Sequence, residues 1–144
     1  MSRMIFVNLP VADLPKAMAF YEAIGFVNNP QFTDETAACM VLTDTIYVML
    51  LTHEKFAQFT SREIADAHRT AQMSLALSCD DRASVDEMTE AALAAGGSEA
   101  HPPEDLGFMY NRAFYDPDGH GWGPFHMDMA ALEAMGEQPE PANA

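Results

Sequence analysis

The side chains of this sequence that could do chemistry are five histidines, two cysteines and a small set of cations. Imidazoles ligate metals or carry protons near neutral pH, thiolates attack or ligate, and a guanidinium holds an anion. His126 is the histidine with the strongest claim. Gly123-Pro124 just before it could bulge a strand and turn the imidazole inward as a metal ligand. The other reading is a partly exposed or dimer-facing residue, because a lone His without a second ligand nearby binds metal weakly. His120 closes an Asp-Pro-Asp-Gly run and reads as a turn residue, and His53, His68 and His101 fall in expected loops, on the surface. Arg112, flanked by Tyr110, Asn111 and Tyr115, either places a cation at a cavity rim for an anionic ligand or makes a surface salt bridge; the two stand even. Cys39 and Cys79 form no C-x-x-C, which suits a reducing compartment and leaves a disulfide open. Glu133 and Glu137, four apart, read as a solvated helix face rather than a catalytic pair.

Composition narrows the partners. Seven basic against twenty-two acidic residues give a net charge of -15, which repels nucleic acid and anionic lipid. With 144 residues, 49% of them hydrophobic, the chain can bury a sizeable core as one domain. Residues 1–135 are expected to form it. The N-terminus lacks the long apolar region of a signal peptide and no run is long enough to span a membrane, so a cytoplasmic location is expected.

The elements that must position these residues follow from apolar patterning. Met4 to Leu9 is a short run stopped by Pro10, hence a strand. Asp13 can cap a helix with Pro15 in its first turn, and Leu14, Ala17, Met18, Tyr21 and Ile24 repeat at helical spacing until Gly25. Extended stretches follow at Phe26 to Phe32, Ala37 to Leu42 and Ile46 to Leu51, the last two joined by a turn at Asp44-Thr45. The order strand, helix, three strands then recurs. Met73 to Cys79 precedes a helix capped by Asp80 or Asp81, striped by Val85, Met88, Ala92 and Ala95 and ended by Gly96-Gly97. Further strands are expected at Ser98 to Ala100, Phe108 to Tyr115 and Trp122 to Met127. The chain thus reads as α+β: two βαβββ modules at 4–55 and 72–128, a polar connector with a short helix at 56–71, and a Pro- and Glu-rich tail at 136–144 expected to be disordered. The eleven Met residues are mostly core, with Met49, Met109 and Met127 left as candidates to line a cavity.

Asn8-Leu-Pro-Val-Ala-Asp13, Phe20-Tyr21, Ile24-Gly25-Phe26 and Phe114-Tyr-Asp-Pro-Asp-Gly-His120 followed by Trp122 together resemble the glyoxalase/bleomycin-resistance/extradiol-dioxygenase (vicinal oxygen chelate) superfamily. The resemblance implies paired modules forming a cupped, partly open mixed sheet with helices outside. It also implies a divalent metal held in that cup by His, Glu or Gln from four strands, and a homodimer. Carried over position by position, the first ligand falls on Phe6 and its counterpart near Ser74. The third falls within Ile46 to Leu51, where Tyr47 has the only polar group, and the fourth on Gly123. None of these is a metal donor of the expected kind.

Strand alternation puts Gly123, Phe125 and Met127 on the cup face, with Phe6, Asn8, Ser74, Ala76 and Ser78 opposite; Met49, Tyr47 and Arg112 complete the expected lining. The function expected is binding of a small, partly apolar organic molecule without a metal cofactor. The alternative is a metal-dependent lyase, isomerase or dioxygenase using Zn, Ni, Mn or Fe through relocated ligands such as His126 and His53. A third possibility, an interaction module whose acidic surface meets a basic partner, stays open.

Overall fold

The computed structural model describes residues 3–134 and 136. Its first module runs β1 (Ile5–Val11), α1 (Leu14–Ala23), β2 (Val27–Asn29), β3 (Ala37–Val41) and β4 (Ile46–Thr52); α2 (His53–Ala57) opens the connector. The second runs β5 (Ser74–Ser78), α3 (Arg82–Ala94), β6 (Ser98–Asp105), β7 (Met109–Tyr115) and β8 (Gly121–Met127), followed by α4 (Met129–Ala134). The architecture is α+β, and each module makes its own four-stranded mixed sheet with the same topology. The orders are β1-β4-β3-β2 and β5-β8-β7-β6, the first strand of each parallel to the last and the other pairs antiparallel.

Local chemistry accounts for the helix ends. The Asp13 carboxylate accepts from the Lys16 backbone N–H at 3.1 Å and Asp81 does the same for Ser84 at 2.7 Å, each satisfying a first-turn donor. Asp81, not Asp80, is therefore the cap. Three boundaries differ from expectation. The first strand is not stopped by Pro10 but runs through it to Val11, because β1 is an edge strand and the missing N–H costs no ladder bond. The second strand stops at Asn29 because Pro30 supplies no N–H for the ladder, and Pro30–Phe32 winds into a 3₁₀ turn instead. The sixth strand runs through His101, Pro102 and Pro103 to Asp105, tolerating the prolines because it is an edge strand. Of the tail expected from 136 onward, all but Gly136 lies outside the described residues, as does Glu137; Glu133 sits in α4.

One apolar cluster joins the modules. Leu9, Val11, Val48, Leu50, Ala38 and Met40 point from the first sheet toward α1, and Leu77, Ala92, Phe114 and Trp122 continue the same core into the second module. At the junction Phe20 meets Phe114 and Tyr21 meets Trp122, with ring centroids 6.1 and 5.9 Å apart. The helix-side faces of both sheets are thereby buried, and the opposite faces are left open. Among the described residues no helix is long and apolar enough to cross a membrane.

Candidate functional site

A buried polar network at the module junction sets the geometry of the second sheet's open face. The Tyr21 hydroxyl donates to Asp116 Oδ2 at 2.6 Å and accepts from Trp122 Nε1 at 2.9 Å. Asp116 Oδ1 accepts from the backbone N–H groups of Asp118 and His120 at 2.9 and 2.8 Å, which folds the Asp-Pro-Asp-Gly turn between β7 and β8. That turn is tied back to the first module. Asp118 Oδ1 accepts from the Ala12 N–H at 2.9 Å, and His120 Nε2 lies 2.8 Å from the Pro10 carbonyl, an acceptor only, so the imidazole donates there. Burial holds the Asp116 carboxyl above the ordinary carboxylate range despite these donors, and burial with the adjacent carboxylate pushes the Tyr21 phenol well above its usual value. Gly119 completes the anchor. At φ +92°, any Cβ there would lie 2.7 Å from the Ala67 carbonyl carbon, so only glycine lets the connector pass this close.

Held in this way, the connector faces the open side of the second sheet across a cavity of about 1260 Å³. Strand alternation decides the sheet side. Along the unshifted β7–β8 register Met109 pairs with Met127 and Asn111 with Phe125, so Met109, Asn111, Ala113 and Tyr115 share the cavity face with Gly121, Gly123, Phe125 and Met127. Ser74 and Ala76 adjoin Gly121 and Gly123 from β5. Ile64, His68 and Arg69 come from the connector, Met73 from just before β5, and Asn8 and Pro10 from β1.

The residues singled out in the sequence separate into three groups. Asn8, Ser74, Ala76, Gly123, Phe125 and Met127 border this cavity together. Phe6, Tyr47 and Met49 do not. They lie on the open face of the first sheet, where Phe6 stacks on Tyr47 at 4.4 Å between ring centroids and is 47% exposed. Arg112 touches the cavity through its main chain, but its guanidinium takes the other face of β7. There it pairs with Asp86 at 3.2 Å, Glu90 at 2.8 Å and Glu99 at 3.3 Å, so the salt-bridge reading of Arg112 describes its side chain. The reason is parity: Tyr110, Arg112 and Phe114 alternate toward α3 and the core.

His126 also faces away from the cavity. The β7–β8 register carries no bulge at Gly123-Pro124, so the alternation is not reversed, and His126 Nδ1 donates to the Cys79 carbonyl at 3.1 Å. Both thiols are pushed up by burial and so are poor nucleophiles. His53 is exposed at the start of α2. Sequence reasoning missed Asn111, Tyr115, His101 and the connector residues as lining. Asn111 and Tyr115 follow from β7 parity once Phe125 is placed; nothing in the sequence foretells where the connector lies.

Comparison with known proteins now fits this geometry. The sequence model of the Glyoxalase/Bleomycin resistance protein/Dioxygenase superfamily matches residues 3–123. The chain belongs to this superfamily. No curated protein matches it. A family enzyme from Burkholderia phytofirmans PsJN superposes with a TM-score of 0.73 at 20% identity over 88% of this chain and 99% of that one. The bleomycin resistance determinant encoded on transposon Tn5 gives 0.62 at 23%, over 88% and 99%. A genomically encoded fosfomycin resistance protein from Listeria monocytogenes gives 0.65 at 18%, over 91% and 98%. At such identities the likeness is one of fold.

The superfamily's metal can be tested against the residues standing at its four positions. Phe6 stacks on Tyr47, the one polar residue of the stretch Ile46 to Leu51, on one sheet, and Ser74 and Gly123 stand on the other. These residues do not fit a divalent cation. Among the described residues no three His, Cys, Asp or Glu side chains come close enough to share one.

Proposed function

We propose that this superfamily member binds a small, partly apolar organic molecule against the open face of β5–β8, without a metal cofactor. The observation that carries the reading is the cavity of about 1260 Å³ with apolar walls at Met109, Phe125 and Met127, polar groups at Asn8, Ser74 and Asn111, and a floor at Gly123 that the fold itself leaves free. A Cβ on Gly123 would meet nothing nearer than the Arg112 carbonyl oxygen at 3.7 Å, an ordinary contact. Glycine in a strand interior costs stability and often marks the close approach of a ligand.

Isothermal titration of the full chain with aromatic and drug-like compounds tests this. The two resistance proteins among the fold neighbours justify including antibiotics in that panel. Binding is expected for the native chain and Gly123→Ala, and its loss for Gly123→Leu, whose side chain fills the floor. The reading fails if nothing binds or if Gly123→Leu binds equally well. Metal analysis of untagged protein separates it from the metal-dependent lyase, isomerase or dioxygenase alternative, which requires stoichiometric Zn, Ni, Mn or Fe.

We also infer a homodimer in which a second copy covers the open face of the first sheet. Phe6, stacked on Tyr47, is 47% exposed there, and Met4, just before the strand, is 53% exposed, apolar surface that water alone would cover at a cost. Phe6→Glu should shift the mass measured by light scattering from dimer to monomer; a native chain that is already monomeric refutes the inference.

A further inference from the structure

We propose that His101 is the acceptor at the edge of this cavity's floor and that the ligand is a planar unsaturated ring carrying an O–H or N–H donor on its edge. The inference rests on the cavity being a small-molecule site and names the ligand class that site takes. Three observations carry it.

The first is aim. Pairing along β6 shifts between Glu99, opposite Phe114, and His101, opposite Ala113. In an unbroken strand these two residues would share a face; the bulge at Ala100 separates them. Glu99 goes to the helix side, 3.3 Å from Arg112, while His101 stands beside Ala113 and lines the cavity. Without the bulge His101 would sit with Glu99, away from the ligand.

The second is the state of the ring. His101 Nδ1 lies 2.8 Å from the Pro102 carbonyl oxygen. A carbonyl can only accept, so Nδ1 carries a hydrogen, and of the two neutral tautomers this is the one that leaves Nε2 as a lone pair. The contact also holds the ring in one orientation.

The third is the shape beside it. Ala76 pairs with Gly123, and the β7–β8 register sets Ala113 opposite Gly123, so three neighbouring strands present a floor of low relief that ends at His101 on the fourth. With strands about 4.8 Å apart the floor is about 10 Å long, enough for two fused aromatic rings lying flat. A ring in that position turns its edge to Nε2. An edge O–H or N–H donates to it, whereas a ring lacking a donor leaves the lone pair unmatched.

The test compares 2-naphthol with 2-methoxynaphthalene, two rings of similar shape that differ in the donor, by fluorescence titration of the full chain. The native protein should bind 2-naphthol about fivefold more tightly, as expected for one exposed hydrogen bond. His101→Leu should equalise the two without weakening 2-methoxynaphthalene, which also shows that the variant is folded. His101→Gln, whose amide oxygen can accept, should restore part of the preference. Equal affinities in the native protein, or a preference that survives His101→Leu, overturn the assignment while leaving the cavity a binding site. Failure of both probes to bind native protein overturns the small-molecule reading as well.

Discussion

Replacing Tyr21 by Phe removes one oxygen from the centre of the molecule and leaves the ring packing intact. The ring keeps its edge contacts with Phe26 and Trp122, with centroids 5.3 and 5.9 Å away. What disappears is the bond donated to the Asp116 carboxylate at 2.6 Å and the one accepted from Trp122 Nε1 at 2.9 Å, both fully inside. A hydrogen bond to a charged group is worth about 1.5–3 kcal/mol and a neutral one about 0.5–1.5, so the variant should lose about 2–4 kcal/mol. That corresponds to a fall in Tm of about 5–15 °C for a chain of this size. Urea unfolding followed by the fluorescence of Trp122, the single tryptophan, measures the loss directly. The effect should also depend on pH. The Tyr21 donor restrains the upward displacement of the Asp116 carboxyl, so its removal raises that group further. A carboxyl raised in the folded state contributes stability that is complete below its ordinary value and is lost as pH rises through its folded value. The variant's deficit should therefore be larger at pH 7 than near pH 4. A loss below about 0.5 kcal/mol at both pH values would refute the claim that this network joins the modules.

Three further outcomes follow from the same geometry. Gly119→Ala should cost about 1–3 kcal/mol from its positive φ and more from the 2.7 Å approach of Ala67, with faster proteolysis between residues 60 and 73; unchanged cleavage there would show that the turn does not hold the connector. Arg112→Gln should lower stability by only about 1 kcal/mol, because Asp86, Glu90 and Glu99 are exposed enough to regain water, and should leave ligand affinity unchanged. A loss of affinity in calorimetry would put the guanidinium back in the site. Asp105 is held down to about 2 by the Arg82 guanidinium and the Gly107 N–H. Its contribution is present above the ordinary carboxylate value and lost as pH falls from about 4 toward 2, so Asp105→Asn should flatten the acid limb of the stability curve in that window. An identical limb in both proteins would sink this.

Much of the fold was legible because it is written in local pattern. The caps Asp13 and Asp81, the helix stop at Gly25 and the alternation of β8 are short-range features, readable from one segment at a time. Six of the residues expected to line a pocket do border one cavity, since alternation along a single strand settles which neighbours share a face. The sequence left Arg112 even between a cavity rim and a salt bridge because parity between two strands depends on how they pair, and a one-residue choice sends the whole set to the other side. His101 was assigned to a loop because its strand contains Pro102 and Pro103, and the bulge that aims it leaves no trace in composition.

By itself, then, the sequence determined two βαβββ modules and their helix faces, which depend on residue identity and near neighbours. Only the tertiary structure decided that Phe6, Tyr47 and Met49 lie on a different open face from Gly123 and Phe125, that the connector walls the second sheet, and that Glu99 and His101 part company at Ala100. Each of these is a relation between segments distant in the chain or a shift in strand pairing. They are fixed by the packing of Tyr21, Trp122 and Phe114 into one core and by the bonds of Asp116 and Asp118 across it, and long-range contacts of that kind have no local signature.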